Sequence, residues 1–253
     1  MSALDELAAP RIDRGPLGAL PPTLEWVGGG DGLLRLLDQT LLPTRVATRD
    51  CATAEEVWEA IRALRVRGAP AIGVAAAYGL CLGTRPHQSL AADAFFAKVR
   101  EVGAYLCSCR PTAVNLAWAV RRTSAAADEA ARDGRPPWPA LLMCAHQLAR
   151  EDAETCRRIG ENGADLIPNG GGVLTHCNAG SLATVAYGTA LAPLYLAHAQ
   201  GRRFQVYADE TRPLLQGARL TAFELSAAGL DVTVLCDGAA ASLMRAGRIQ
   251  LAI

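Results

Sequence analysis

Residues 204–237 read FQVYADETRPLLQGARLTAFELSAAGLDVTVLCD, and their pattern indicates the fold class. Two short apolar runs, 204–208 and 231–236, flank a segment with helical spacing at 214–228. A strand, a helix long enough to cross over the sheet and a second strand are typical of a βαβ unit. The stretch therefore predicts a parallel sheet in the C-terminal half of the chain.

The same alternation of strands and helices extends on both sides of this stretch. A long helical pattern comes first, and the remaining strands are separated by helical segments. Strands spaced in this way indicate a Rossmann-like sheet. The predicted elements are a helix at 140–165, a strand at 173–176, a helix at 182–200, a helix at 238–246 and a strand at 248–253.

The N-terminal half has a mainly helical pattern. Thr53 is a suitable N-cap for an amphipathic helix, and the apolar segment that follows Pro70 predicts a buried helix. A segment rich in proline at 133–139 marks the best internal break, so we predict an N-terminal helical domain at 1–137 and a Rossmann-like domain at 138–253. The predicted N-terminal elements are a small β-hairpin at 23–27 and 33–37 and helices at 54–65, 71–82, 90–106 and 112–130. The fold class is thus α/β.

Composition argues against several classes of partner. The chain has 253 residues, of which 51% are hydrophobic, enough for a substantial core or for two domains. Its 25 basic and 25 acidic residues balance and no basic run stands out, which argues against nucleic acid and membrane surfaces as partners. No leader pattern and no apolar run of about 20 residues is found. We therefore expect a cytoplasmic protein.

The cysteines indicate a reducing environment. Eight of them are scattered along the chain, mostly among apolar residues. A chain of this size does not need disulfides, so we expect reduced thiols. Cys107 and Cys109 form a CxC pair, but a structural zinc site needs a second matching cluster, which the sequence lacks. We predict no metal site.

Polar and small residues follow the predicted strands, where open parallel sheets bind their ligands. Cys177 follows the first strand, at a predicted helix N-terminus whose dipole favours a thiolate. It is the sharpest candidate for an acid, a base or an electrostatic stabiliser. On spacing alone, a buried structural cysteine is the commoner interpretation. His176 points to the opposite face of the strand and is expected to be a core histidine.

A second candidate site lies in the helical half. Arg67, Gly68 and Ala69 lead into the predicted buried helix, with Pro70 suited to its first turn. The free amides of a helix start hold phosphate, and an arginine adds a charged fork. Arg110 precedes another helix in the same style, so the two arginines suggest an anion site between them. Ordinary helix starts and solvated arginines explain the same pattern.

Two further motifs have structural interpretations. The run NGGG at 169–172 precedes a strand, whereas phosphate-binding glycine loops follow a strand and open a helix, so we predict a turn there. Asp209 and Glu210 form either an acid–base pair or salt bridges to Arg212 that hold the loop. The second interpretation is preferred.

Six long strings in the chain are informative together. They are LRLLDQTLLP (34–43), IRALRVRGAPAIGVAAAYG (61–79), RPTAVNLAWAV (110–120), LTHCNAGSLATVAYGTALAPLYLAH (174–198), VYADETRPLLQGARLTAFEL (206–225) and GLDVTVLCD (229–237). In this collinear order they resemble methylthioribose-1-phosphate isomerases, a branch of the family that also contains regulatory subunits of a translation initiation factor's nucleotide exchanger. The resemblance extends from about residue 23 to the last residue.

The resemblance implies conversion of 5-methylthioribose 1-phosphate, an aldose, into the ketose 5-methylthioribulose 1-phosphate in methionine salvage, without a cofactor. The phosphate on the anomeric oxygen blocks the easy route of ring opening. An acid must therefore protonate the ring oxygen before hydrogen moves from C2 to C1. Such a site needs a phosphate clamp, a proton donor and a desolvated pocket. The resemblance also implies a homodimer.

Site residues follow from the resemblance position by position. Arg67, Gly68 and Ala69 match the family's substrate-binding RGA. Arg110 matches its second arginine, and Gln216 matches its binding glutamine. Cys177 matches the reactive-site cysteine.

The chain departs from the family at its end. The family continues past a strand like 249–253 into a Gly-Ala-Asp-Arg stretch, whose aspartate is taken as the proton donor, and then into an Asn-Lys pair that binds substrate. We therefore expect a C-terminally truncated isomerase with an incomplete sheet, nearly inactive by itself.

Two alternatives stay open. One is a non-catalytic regulatory subunit like the initiation-factor relatives, although the THCNAGSLAT and RGAPAIG strings favour the enzyme branch. The other is a sister isomerase acting on ribose 1,5-bisphosphate or a 5-deoxypentose 1-phosphate.

Overall fold

The computed structural model describes residues 7–17 and 20–253. This part of the chain forms two compact units. The first comprises residues 7–11, Leu24–Thr40 and Ala47–Glu151, and the second comprises residues 12–17, residues 20–23, Leu41–Val46 and Asp152–Ile253.

The first unit contains a small antiparallel sheet. Strands β1 (Leu24–Val27) and β2 (Leu33–Leu37) form the predicted hairpin, with Leu24 opposite Leu36. A third strand, β3 (Thr48–Cys51), pairs with β2. We did not predict β3, because its sequence TRDC lacks apolar alternation and only its last residue is buried. It is tied to β2 by the ion pair between Arg35 and Asp50, 2.7 Å apart.

Five helices follow, all of them predicted, and the last continues into the second unit. The second of them is buried along almost its whole length, as its apolar sequence indicates. Glycines let it pack closely, since a Cβ on Gly83 would lie 2.7 Å from Val102 Cγ1. The helices are α1 (Ala54–Arg62), α2 (Ala69–Thr84), α3 (Ala92–Ser108), α4 (Val114–Arg132) and α5 (Pro137–Gly163).

The two compact units divide within α5, after Glu151. We predicted a domain boundary between residues 137 and 138, and this position is the start of α5. The proline-rich segment before α5 thus marks a helix start, and the proposed domain boundary stays a prediction.

Thr53 caps α1 as predicted, in a capping box with Glu56. The Thr53 hydroxyl accepts the Glu56 amide at 3.2 Å, and the Glu56 carboxylate accepts the Thr53 amide at 3.2 Å. We expect Thr53→Ala to lower the free energy of unfolding by about 1 kcal/mol, because the helix loses a partner for one of its free amides. Urea denaturation measures this loss. Thr53→Ser keeps the hydroxyl and should stay close to the parent protein; an equal loss in both variants would contradict the capping role.

The second unit contains the predicted parallel sheet. Its strands are β4 (Gly172–Thr175), β5 (Gln205–Asp209), β6 (Val232–Leu235) and β7 (Leu251–Ala252), in the order β6-β5-β4-β7. All three strand pairs are parallel, with Leu174 opposite Tyr207 in the central pair. The predicted turn before β4 is present at Asn169 and Gly170, where Gly170 has a φ of 84°.

Two of the three helices predicted between these strands, at 214–228 and 238–246, are confirmed in shorter form, whereas the third is correct only in part. The helix predicted at 182–200 is wrong in its first half, where a 3-10 turn (Ser181–Ala183) and a loop precede α6 (Ala192–Ala199). Gly188 has a φ of 82° and bridges Gly180, which interrupts helical hydrogen bonding. The other connections are a π-helix (Gly217–Thr221) followed by α7 (Ala222–Ala227), and a 3-10 turn (Asp237–Ala239) followed by α8 (Ala240–Arg245).

Across residues 7–17 and 20–253, no helix is both long enough and apolar enough to cross a membrane. All eight cysteines are free, as predicted. Burial raises the pKa of Cys51 and of Cys109 to about 11, which keeps both thiols protonated.

Candidate active site

Three loops follow the carboxyl ends of β4, β5 and β6, and parallel pairing brings these ends to the same edge of the sheet. The loops carry the polar residues that the sequence places there, among them Cys177, Glu210 and Asp237. Open parallel sheets bind ligands at this edge. It is the candidate active site of the second unit.

Cys177 lies on the first of these loops, half-buried and two residues beyond β4. Its φ is 61°, a conformation that costs energy for a residue with a side chain. Two hydrogen bonds hold the peptide: the Cys177 amide donates to Thr211 Oγ1 at 2.9 Å, and its carbonyl accepts from Thr221 Oγ1 at 2.5 Å. The thiol is therefore presented by a fixed backbone.

The helix expected directly after Cys177 is absent. A 3-10 turn at Ser181–Ala183 follows, and α6 begins only at Ala192. The prediction that a helix dipole acts on the thiol is therefore wrong. The sequence of small residues at 178–181 resembles a helix start. In the structure the segment is not helical, and its Asn178 and Ser181 side chains donate hydrogen bonds to Thr221 and Glu224.

Asp237 fixes the second loop. Its Oδ1 accepts the Thr211 amide at 2.7 Å, and its Oδ2 accepts the Arg212 amide at 2.8 Å. These bonds, first that of Arg212, lower the pKa of the Asp237 carboxyl. Because Thr211 in turn holds the Cys177 amide, the ends of all three strands are linked through one chain of hydrogen bonds.

His176 is not the core histidine that we predicted. β4 ends at Thr175, one residue earlier than expected, so His176 belongs to the loop and 61% of its side chain is exposed. Its Nδ1 lies 3.0 Å from Asp209 Oδ2. Asp209 thus pairs with His176, whereas the sequence favoured a salt bridge to Arg212. The other carboxylate oxygen of Asp209 is buried and has no hydrogen-bond partner among the described residues.

His176, Asp209 and Asp237 are the described residues that could ligate a metal ion together, since their ligand atoms lie within 4.8 Å of one another. Nitrogen and carboxylate ligands of this kind suit divalent transition metals. Both Asp237 oxygens already accept backbone amides, as described above. The CxC pair, Cys107 and Cys109, is not part of this cluster.

A buried polar network lies beneath the Cys177 loop, and the sequence did not predict it. Glu224, on α7, is fully buried and accepts hydrogen bonds from Asn178 Nδ2 and from Ser181 Oγ, the latter at 2.8 Å. Burial raises the pKa of the Glu224 carboxyl. The only sequence signal for this network is the single carboxylate, Glu224, within the small and apolar run LTAFELSAAGL (220–230). A carboxylate on the exposed face of a helix gives the same pattern.

Gln216 lies on the loop after β5, half-buried and directly before the π-helix. The next residue, Gly217, packs against the backbone, since a Cβ there would lie 1.7 Å from the Asp209 carbonyl oxygen. Single-turn π-helices often occur at functional sites. The structure thus brings Cys177 and Gln216 to loops that follow neighbouring strands.

The other predicted site residues lie in the first unit. Gly68 is the N-cap of α2 with a φ of 90°, Ala69 is exposed, and Pro70 occupies the first turn as predicted. Arg67 is half-buried beside them. Arg110 begins a turn that lies four residues before α4. The prediction that it stands directly at a helix start is therefore wrong by about one helical turn. An anion site shared by the two arginines stays a prediction.

Asp152, on α5, accepts the Val185 amide at 2.7 Å, and burial raises the pKa of its carboxyl to about 6. The folded protein therefore holds this proton more tightly than the unfolded chain, so stability falls as pH rises from about 4 to about 6 and then levels off. Asp152→Asn has no ionisable group at this position, so it lacks the loss of stability that ionisation of Asp152 causes. We expect the melting temperature of the variant, relative to the parent, to be higher at pH 7 than at pH 4. A constant difference would contradict the assignment.

An open cavity of about 620 Å³ lies at the opposite, amino-terminal end of the parallel sheet, lined by residues that include Arg203, Phe204 and Arg248. Ligands of open parallel sheets bind at the carboxyl ends of the strands. We therefore place the candidate site at the Cys177 edge.

The sequence matches the model of the initiation factor 2 subunit family over residues 65–253. It is 51% identical over 237 residues to a protein named methylthioribose-1-phosphate isomerase from Symbiobacterium thermophilum, covering 91% of this chain and 65% of that protein. It is 50% identical over 224 residues to a protein named 5-deoxyribose 1-phosphate isomerase from Bacillus cereus, covering 88% of this chain and 65% of that protein. The chain thus spans about two thirds of the length of the curated relatives it matches.

Two solved structures are similar over most of the chain. The 5-methylthioribose 1-phosphate isomerase of Pyrococcus horikoshii has 38% identity and a TM-score of 0.86, covering 96% of this chain and 67% of that one. Subunit delta of translation initiation factor eIF-2B from A. fulgidus has 40% identity and a TM-score of 0.80, covering 92% and 67%. Both similarities extend over the α/β fold described above.

Proposed function

Because the chain belongs to the initiation factor 2 subunit family, we propose that its protein is an aldose–ketose isomerase that converts 5-methylthioribose 1-phosphate into 5-methylthioribulose 1-phosphate in methionine salvage. The observation that carries the proposal is the identity of about half of all positions to a relative named for this reaction, over 91% of the chain. No cofactor is proposed.

The loops at the carboxyl edge of the parallel sheet support a catalytic role for Cys177. The reaction needs a group that exchanges a proton or stabilises charge at the sugar ring while water is kept away. The Cys177 thiol is half-buried and its peptide is hydrogen-bonded on both sides, which suits a group held in one geometry. Gln216, on the loop after the next strand, is proposed to bind the substrate.

We assign phosphate binding to the start of α2. The amides after Gly68 begin a helix of 16 residues, and such amides attract anions through the helix dipole. Arg67 directly precedes this helix start, and Arg110 is the second proposed ligand. A guanidinium group binds phosphate through two parallel hydrogen bonds. These assignments rest on the residue types and on the family resemblance.

The test measures ketose formation by NMR from three substrates: 5-methylthioribose 1-phosphate, 5-deoxyribose 1-phosphate and ribose 1,5-bisphosphate. The 253-residue chain and any longer product of its gene are assayed side by side. We expect turnover to be highest with the methylthio sugar. Absence of ketose from all three substrates in every product would overturn the proposal.

A second candidate, favoured by the relative named 5-deoxyribose 1-phosphate isomerase, keeps the reaction and changes the substituent at C5. It is supported if the 5-deoxy sugar has the highest kcat/KM in the same assay. A non-catalytic subunit role is favoured by the similarity to the eIF-2B delta subunit. Capture of a translation factor, together with absence of turnover on all three substrates, would support that role.

We also propose a cytoplasmic homodimer that binds neither nucleic acid nor membrane. The balanced charge of 25 basic and 25 acidic residues supports the last two points. Light scattering should give a mass near twice 26.6 kDa for the 253-residue chain. A monomeric mass at micromolar concentration would contradict the dimer.

A further inference from the structure

We propose that Glu224 is a positioning residue for the segment 177–182, which we name the thiol loop, and that its buried carboxyl fixes the backbone that presents Cys177. The consequence for catalysis rests on the proposed function. The positioning role does not rest on that function, because it is tested by measuring the reactivity of the Cys177 thiol.

Three donors of the thiol loop end on this one carboxyl. Asn178 Nδ2 donates to Oε1, while Ser181 Oγ at 2.8 Å and the Leu182 amide at 3.4 Å donate to Oε2. Residues Glu224 and Asn178 are 0% and 4% exposed, so no solvent replaces a lost bond. A donor left unpaired in such a place costs more than the bond itself contributes.

The carboxyl also fills the space beside the loop backbone. A Cβ on Gly180 would lie 2.0 Å from Glu224 Oε1, so the loop and the carboxyl are in direct contact and only glycine fits. Thr221 reinforces this arrangement three residues earlier on the same helical segment. Its hydroxyl accepts from Asn178 Nδ2 at 3.1 Å and donates to the Cys177 carbonyl at 2.5 Å.

A carboxyl is suited to this place because donors approach both of its oxygens. An amide offers one accepting oxygen, and its NH₂ group would face another donor. Glu224→Gln therefore keeps the size of the side chain and leaves at least one loop donor without a partner. Since the strained φ of Cys177 persists only while its surroundings fix it, the loop should relax.

The experiment compares Glu224→Gln with the parent protein at pH 7, following iodoacetamide alkylation of each cysteine by peptide mass spectrometry. We expect the alkylation rate of Cys177 to rise at least about fivefold, because local opening of the loop exposes a half-buried thiol. Cys236, which is exposed, serves as the internal reference and should not change. Amide hydrogen exchange at residues 177–182 should accelerate about tenfold.

Asp152→Asn is the matched control, because it also alters a carboxyl that is at least half-buried and accepts a backbone amide in the same unit. It should leave the alkylation rate of Cys177 unchanged. An equal rise in both variants would indicate general loosening and overturn the proposal. So would a folded Glu224→Gln protein whose Cys177 reacts at the parental rate.

Ser181→Ala keeps the test informative if Glu224→Gln fails to fold. It removes one of the three donors and should raise the alkylation rate about twofold, and an unchanged rate would overturn the proposal. In an active form of the protein, loss of positioning should lower kcat while KM stays nearly constant. Altered alkylation in a protein without isomerase activity would uphold the positioning role and reject the proposed function.

Discussion

Cys177→Ser is expected to lower kcat/KM for ketose formation by about 100-fold to 10,000-fold, the usual contribution of a positioned acid or base. Serine keeps the size of the side chain and both backbone hydrogen bonds of residue 177, to Thr211 and Thr221. It lacks a group that ionises in the range where a thiol does. The measurement is steady-state kinetics of the most active product of the gene.

Cys236→Ser is the matched control for this variant. Cys236 also follows a strand of the parallel sheet, but it is exposed. Its replacement should leave kcat/KM within about twofold of the parent, as expected of surface substitutions. If Cys177→Ser kept parental activity, the thiol would have no catalytic role, even if the protein were an isomerase.

Gly217→Ala is expected to lower the free energy of unfolding by about 3 kcal/mol or more, because the new methyl group has no room. A Cβ at this position would lie 1.7 Å from the Asp209 carbonyl oxygen and 3.1 Å from Thr211 Oγ1. The backbone must move, and with it the hydroxyl that accepts the Cys177 amide. Chemical denaturation measures the loss, and Cys177 alkylation should change with it.

Gly238→Ala provides the comparison within the same set of loops. Gly238 is exposed, and a Cβ there would contact nothing within 4 Å. We expect a change within about 0.5 kcal/mol in either direction. Equal stability of the two variants would show that the contact between Gly217 and Asp209 does not constrain the loop.

Much of the fold could be predicted from apolar spacing. Helix α2 and the parallel strands β4 and β5 have apolar runs, and the structure buries almost all of their residues. The first half of the helix predicted at 182–200 is wrong because its small and apolar residues form a loop around Gly188. Strand β3 was missed because it is held by pairing and by the Arg35–Asp50 ion pair, with little apolar alternation.

The candidate site likewise has features that the sequence predicted and features that it did not. Cys177 could be chosen from its place after a strand, and Arg67 and Arg110 from their places before predicted helices. The family resemblance supplied Gln216. Their exposure and partners could not be predicted. His176 was expected in the core and is exposed, and Glu224, 47 positions along the chain from Cys177, was not considered at all.

The amino-acid sequence is enough to identify the family, the parallel sheet and the residues that follow its strands, because motifs and the periodicity of strands and helices are properties of neighbouring positions. The contacts that hold Cys177 depend instead on the packing of distant segments. The partners of its peptide, Thr211 and Thr221, come from other loops and helices. Hydrogen bonds between such distant positions depend on how the elements pack, and no local pattern encodes that packing.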